Sequence, residues 1–231
     1  MTTEPISLVC ISDTHGLHNH LTIPPCDILL HAGDFTPLHG FFEEAEDFVA
    51  WLAEQPAEHK VFTCGNHEVE IGKSLPLLRD LCEPHGIHLL INQGVTIKGL
   101  KVWGSPHSVV YGRGRAFMHS DLELIPAWAM IPDDTDILIT HCPPFGIKDA
   151  VYPYGQHCGS ATLLDRVQLI RPMLHVVGHI HEDPGQYLDT ITGVLTVNAS
   201  MVAKPIDIKT IRAPIQLRIV QINGQSVAVV Q

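Results

Sequence analysis

No two of the six cysteines (Cys10, Cys26, Cys64, Cys82, Cys142, Cys158) have the C-x-x-C spacing, which sets aside a thiolate zinc site. Three of them sit in or at the end of apolar runs, as small buried thiols do. No stretch approaches about 18 uninterrupted apolar residues, and the opening "MTTEPISLVCISD" lacks the charged start and long apolar core of a secretory signal. A soluble, cytoplasmic protein with no membrane partner is therefore expected. Cations are few, with 14 Lys and Arg against 25 Asp and Glu and a net charge of −11. Long nucleic acid is a poor partner for such a chain, because counterion release needs clustered Lys and Arg; a small anion remains open where the local charge is positive. A Walker loop, a Gly-rich dinucleotide fingerprint and a G-x-S-x-G nucleophile elbow are absent too. Linkers, repeats and low-complexity tracts are missing, so residues 1–231 are expected to form a single domain, large enough to bury its own core. The oligomeric state is left open.

What the chain does have is histidine, sixteen in all, and a recurring way of ending its apolar runs. "ISLVCIS" stops at Asp13, "DILLHA" at Gly33 and Asp34, "KVFTC" at Gly65 and Asn66, "DILIT" at His141, and "LHVV" at Gly178 and His179. Runs of four to seven residues rich in Ile, Val and Leu read as strands buried on both faces. Residues just beyond the carboxyl ends of such strands are where α/β proteins build their sites. Between the runs lie helical patterns. "FFEEAEDFVAWLAEQ" puts Phe41, Ala45, Phe48, Val49 and Leu52 on one face, and "SLPLLRDLCEPHG" and "SATLLDRVQLIRP" read similarly. Residues 87–104 and 215–230 predict hairpins, the second around Asn223-Gly224, so the sheets are mixed. Residues 105–132 show no clear period and read as a long loop with one short helix.

The strand ends present Asp13 and His15 ("SDTHG"), Asp34 ("AGDF"), Asn66 and His67 ("GNHE"), His141 ("THCPP"), and His179 and His181 ("GHIHE"). Carboxylate, imidazole and amide oxygen are ligands for Mn, Fe, Zn, Ni or Co without help from a thiolate. Glycines precede Asp34, Asn66 and His179, letting the backbone turn tightly beside a cation. Cys142 next to His141 leaves three chemistries open: a soft thiolate site, a Cys/His nucleophilic pair, or a lone imidazole ligand with a bystander cysteine.

Taken in order, these motifs resemble the calcineurin-like metallophosphoesterases, with their D-x-H, G-D, G-N-H-[ED], H and G-H-x-H, from about Leu8 to Ser200. "HAGDFT", "CGSATLLDRV", "RPMLHVVGHIHE" and "VNAS" look closest to the small metallophosphoesterase-domain proteins of bacteria and animals. The resemblance implies an α/β, four-layer αββα sandwich: two mixed β-sheets flanked by helices, with a binuclear metal site at the strand C-terminal ends. It assigns Asp13, His15 and His181 to one divalent transition-metal ion and Asn66, His141 and His179 to the other, with Asp34 bridging, and Mn as the leading metal. It gives His67 a catalytic role at the phosphoryl group and Cys142 none. Asp13 and Asp34 are the charged members of that set, so two divalent ions leave the site near about +2. Such a pair orients and activates a shared hydroxide for direct attack on phosphorus.

Arg113 and Arg115 are candidate phosphate contacts, because a guanidinium fork suits phosphate. His18, His20, His107 and His157 are further candidates around the pocket; His31, His59, His85, His88 and His175 are expected to pack or to face water. Protein phosphatases of this superfamily carry an arginine soon after G-D and another near G-N-H. "GDFTPLHG" and "TCGNHEVE" have neither, which favours a phosphodiester, with its single charge. The close relatives imply a small cyclic nucleotide as substrate. A broad phosphodiesterase or phosphomonoesterase, a short-oligonucleotide nuclease, and a weakly active nucleotide-binding scaffold are the alternatives.

Overall fold

A computed structural model describes residues 4–110, 115–203, 208–222 and 225–231. Two six-stranded sheets dominate. The first contains β1 (Ile6–Ile11), β2 (Cys26–His31), β3 (Ala57–Phe62), β4 (His88–Leu89), β15 (Ile215–Ile222) and β16 (Gln225–Val230), in the order β16-β15-β1-β2-β3-β4. The second contains β5 (Gln93–Ile97), β6 (Leu100–Ser105), β9 (Ile137–Thr140), β12 (Leu174–Val177), β13 (Gly185–Leu188) and β14 (Leu195–Asn198), in the order β13-β14-β12-β9-β6-β5. Two short pairs, β7 (Ser108–Val109) with β8 (Met118–His119) and β10 (Ala150–Val151) with β11 (Gln156–His157), lie outside them.

Both sheets are mixed. β1 pairs in parallel with β2, and β2 with β3, while β15 joins β1 antiparallel. In the second sheet β6, β9, β12 and β14 run parallel, and β5 and β13 close the edges antiparallel. The layering follows from the two-residue period of a strand. Leu8, Cys10, Ile28, Leu30 and Val61 point inward to meet Val102, Ile137, Ile139, Leu174 and Val176 of the facing sheet. Their neighbours Val9, Ile11, Leu29 and Phe62 point outward against Phe48, Val49, Leu52 and Leu78 of α1 (Phe42–Glu54) and α2 (Leu75–Cys82). On the opposite outer face Leu138 meets Trp128, Leu163 and Val167, carried by α3 (Ile125–Ala129) and α4 (Ala161–Ile170). The architecture is the four-layer αββα sandwich.

Two sequence expectations are refined and a third is met. Residues 87–104 are not one hairpin: His88–Leu89 completes the first sheet beside β3, and the hairpin proper is β5–β6 in the second. β4 has too few residues for a period to show, and only its pairing reveals it. Residues 105–132 contain the β7–β8 pair and a 3-10 turn leading into α3. The 215–230 hairpin is present, and its Asn223-Gly224 turn lies outside the described residues. Among the described residues no helix is long and apolar enough to cross a membrane.

Candidate metal centre

The parallel strands β1, β2, β3, β9 and β12 end on one side of the sandwich, and each hands the chain to a loop that carries polar groups. The loops are laddered to one another: Asp13 N–H donates to Gly33 O at 2.9 Å, His15 N–H to Asp34 O at 3.1 Å, and Gly178 N–H to His141 O at 3.0 Å. Asp13, His15, Asp34 and His179 all have positive φ, between 45° and 69°, a region costly to ordinary residues and concentrated at functional sites. The glycine expectation holds at atomic scale. A Cβ on Gly65 would sit 2.4 Å from Asp34 Oδ1, and one on Gly178 would sit 2.3 Å from Asp13 Oδ2; the carboxylates occupy the space a side chain would need.

Three groups of donors converge among the described residues, Asp13/His15/His181, His15/Asp34/His67 and Asp34/His141/His179, with their ligand atoms within 4.8 Å of one another inside each group. The hydrogen bonds fix which nitrogens are lone pairs, because a carbonyl can only accept. His15 Nδ1 donates to Thr36 O at 3.2 Å, and His141 Nδ1 to Ala32 O at 2.8 Å. In the neutral rings Nε2 is then an acceptor. His15 Nε2 lies 3.1 Å from His181 Nε2, whose tautomer no carbonyl contact fixes. His141 Nε2, however, lies 3.0 Å from Asn66 Oδ1 and 3.3 Å from Asp34 Oδ2. Acceptors facing acceptors in a dry interior repel unless a cation sits between them. The residues fit divalent metal ions of the N/O-preferring kind.

The electrostatics agree. Asp13, Asp34 and His141 are essentially inaccessible. Burial alone would raise the Asp34 carboxyl, but His141 and the neighbouring imidazoles outweigh it and hold the group well below the usual range. Asp13 is held low in the same way, chiefly by His181. Burial pushes His15 down to about 4 and His179 to about 3. For His141 burial is overcome by Asp34, which raises it to about 9: without a metal, the pocket recruits a proton as its cation.

Around these donors lies a set of supports. Glu68, fully buried, accepts from Asp34 N–H at 3.0 Å, Gly65 N–H at 2.6 Å, Thr36 N–H at 3.0 Å and the Thr36 hydroxyl at 2.8 Å. His31 Nδ1 accepts from Gly33 N–H at 3.1 Å, so its Nε2–H donates to Thr14 Oγ1, also at 3.1 Å; it packs as expected, and in doing so ties the first two loops together. Ser200 Oγ lies 2.9 Å from Asp13 Oδ2 and 2.8 Å from Asn198 Oδ1, and its one proton serves either. Arg212 donates to Ser200 O and His181 O, both at 3.0 Å. Glu68, Ser200 and Arg212 escape sequence reasoning as supports; Glu68 stood in the quoted "GNHE", while Arg212 follows no motif.

The other sequence candidates divide. His67 N–H donates to Asp34 Oδ1 at 2.8 Å and its Nδ1 to Pro37 O at 2.9 Å, leaving Nε2 as acceptor for Arg115 Nη1 at 2.9 Å. That occupied lone pair separates His67 from His15 and His141, although it falls within ligand range. Arg115 thus stands at the cluster; Arg113 lies outside the described residues. His18 is a correction: it is buried, edge-on to Phe48 and tilted against Trp51 of α1, with Nε2 on Asp47 at 2.9 Å, so its ring is spent on helix packing. His20 is exposed and belongs to none of the three donor groups. Cys142 is fully buried, its thiol pushed up to about 12 by burial, and a thiol so protonated is neither ligand nor nucleophile.

Comparison with known proteins agrees with this geometry. The sequence model of one family, calcineurin-like phosphoesterase, matches residues 6–183. Human metallophosphoesterase domain-containing protein 1 is 36% identical over 228 residues, covering 86% of this chain and 69% of its own length. The UPF0046 protein K07C11.7 of Caenorhabditis elegans is 36% identical over 197 residues, 79% of this chain and 66% of its own. Among solved structures, TT1561 of Thermus thermophilus superposes with a TM-score of 0.62 at 17% identity, over 84% of this chain and 88% of that one, a likeness of fold. With the ordered motifs, the αββα layers and a match across most of its length, the chain belongs to the calcineurin-like phosphoesterase family, metal-dependent hydrolases of phosphoester bonds.

Proposed function

We propose that the protein hydrolyses small phosphodiesters, with cyclic nucleotides as the leading substrate class, at a binuclear centre built on Asp34. The observation that carries this reading is that Asp34 faces both acceptor clusters: Oδ2 is 4.0 Å from His15 Nε2 and 3.3 Å from His141 Nε2. Asp13, His15 and His181 would hold one ion, and Asn66, His141 and His179 the other. When bound, the pair supplies Lewis acidity and an activated water. Mn is the leading metal, with Fe, Zn, Ni and Co as alternatives, because this donor set accepts each of them.

The chain's own residues do the rest. Thr36 O and Ala32 O keep His15 and His141 in the tautomer whose Nε2 can coordinate, the usual service of an outer partner. His67, held at Nδ1 by Pro37 O, offers Nε2 to the phosphoryl group. Arg115, now donating to that nitrogen, is the guanidinium available for a non-bridging phosphate oxygen. Among the described residues Arg115 is the arginine on His67, and one guanidinium suits the single charge of a diester. The test is turnover of bis(p-nitrophenyl) phosphate with added Mn²⁺, before and after EDTA, followed by kcat/KM on 2',3'-cyclic and 3',5'-cyclic nucleotides, phosphomonoesters and short RNA. EDTA-sensitive turnover with diesters preferred is expected. No turnover with any metal overturns the enzyme reading and leaves a nucleotide-binding scaffold.

A further inference from the structure

Beside His67 the surface opens into a cleft of about 350 Å³, lined among the described residues by Val69, Gly72, Lys73, Arg115, Ala116 and Phe117. It shares a wall with the metal centre, because Arg115 is the residue that donates to His67 Nε2 and Val69 N–H folds back onto His67 O at 2.8 Å. Its volume lies at the small end of ligand sites, room for one ring system and its sugar. Val69, Gly72 and Ala116 are small. A Cβ added to Gly72 would come within 3.2 Å of the Phe117 ring, so glycine keeps that ring's surroundings open. Among the described residues no carboxylate lines the cleft; its charged groups are Lys73 and Arg115, and Lys73 is paired at 2.8 Å with Glu70.

Phe117 is held there at a cost. Its φ of 56° is an outlier for a bulky residue, and such strain persists where the surroundings enforce it. The enforcement is visible. Phe117 O accepts from Ser108 N–H at 3.1 Å and from His107 Nδ1–H at 3.4 Å. His107 Nε2 accepts from Asn92 Nδ2 at 2.9 Å, and Asn92 Oδ1 accepts from Ser105 Oγ at 2.7 Å. A chain of side chains running back to Ser105 of β6 therefore fixes the main chain of Phe117 at the edge of a small, cation-rimmed cleft, and its ring meets His107 edge-on at 6.1 Å while packing on the core beside α2.

We propose that this cleft is a second subsite that receives a flat aromatic ring carried by the phosphoester, a nucleobase being the representative case, stacked on Phe117 while Arg115 faces the phosphoryl group. The inference rests on the phosphoesterase reading and names the part of the substrate beyond phosphorus. Stacking on an aromatic side chain is sequence-tolerant and is lost on truncation to alanine, so the subsite selects for a ring rather than for a particular base.

The test is direct binding to the Mn²⁺-loaded full chain by calorimetry, comparing adenosine 5'-monophosphate with ribose 5-phosphate, which differ by the base alone. Wild type is expected to bind the nucleotide about tenfold more tightly. Phe117→Ala should bring the ratio of the two dissociation constants close to one, Phe117→Tyr should keep it, and Gly72→Val, which crowds the cleft from the other wall, should lower it. Equal affinities in wild type, or a ratio unchanged in both Phe117→Ala and Gly72→Val, overturn the subsite. Where Phe117→Ala fails to fold, the Gly72→Val and Phe117→Tyr pair decides. The hydrolytic reading fails separately, through absent turnover of bis(p-nitrophenyl) phosphate by wild type, and the binding ratio does not depend on that turnover.

Discussion

The Glu68 carboxylate accepts the backbone N–H of Asp34 at 3.0 Å, so the residue that faces both donor clusters is oriented through its main chain by a buried acid with no access to solvent. The same carboxylate takes three further donors from Gly65 and Thr36. Burial, and after it the charge of Asp34, pushes Glu68 up to about 7. Glu68→Ala would orphan all of these donors, each costing about 1–3 kcal/mol. A loss of about 3 kcal/mol or more in urea unfolding is expected, together with weaker Mn²⁺ binding. Glu68→Gln should fall between, because an amide can accept only at one end.

His67 stands beside the clusters with its Nε2 turned to Arg115. His67→Ala should keep metal content while lowering kcat by about 10²–10⁴, the usual worth of a positioned acid–base group. Metal analysis alongside steady-state kinetics checks both halves; full activity in the variant removes the role.

Cys142 and His141 are neighbours in sequence with opposite fates. Cys142 Sγ donates to Pro143 O at 3.3 Å, a bond a hydroxyl can make, so Cys142→Ser should leave metal content and turnover nearly unchanged. His141→Ala should cost one metal. A Cys142→Ser variant that loses metal would restore the thiolate chemistry.

His31 and His175 are fully buried, and burial pushes both down to about 3. Unfolded imidazoles take up protons near pH 6.5, whereas these folded ones stay neutral until about 3. The unfolded chain binds more protons in that window, so their stability contribution, complete above about pH 6.5, is lost as pH falls through it. The slope is up to about 1.4 kcal/mol per pH unit for each group. His175 Nε2–H donates to Thr140 Oγ1 at 2.7 Å, whose own hydroxyl donates to Cys142 O at 2.6 Å. His175→Gln should flatten the stability curve by one group, measured as urea midpoints in EDTA at about pH 4.5 and 6.5; an unchanged slope contradicts the neutral, buried imidazole.

How much was legible in the sequence follows from what kind of signal each feature leaves. Strand ends were legible, because a strand buried on both faces is an unbroken apolar run and its abrupt polar stop marks the site; Asp13, Asp34, Asn66, His141 and His179 all stand at such stops. The layers were legible through the same runs plus the helical periods that became α1, α2 and α4. β4 and the β7–β8 and β10–β11 pairs were not, since two residues carry no period. His18 misled because proximity in sequence to "SDTHG" says nothing of the side of β1 on which α1 packs. Arg212 and Ser200 act through contacts with His181 and Asp13 that only the fold creates. Phe117 belongs to the same class: its position depends on His107 and Asn92 reaching across from other segments.

The central claim is that Asp34 serves two metal sites at once, and metal stoichiometry tests it most directly. Titration of metal-free protein with Mn²⁺, read by calorimetry and by metal analysis of the dialysed product, is expected to give two equivalents per chain in wild type. Loss of one is expected in His141→Ala, and weakening of both in Asp34→Ala. A wild type that binds a single ion, or an Asp34→Ala variant that still holds two with unchanged affinity, would contradict a centre built on that carboxylate.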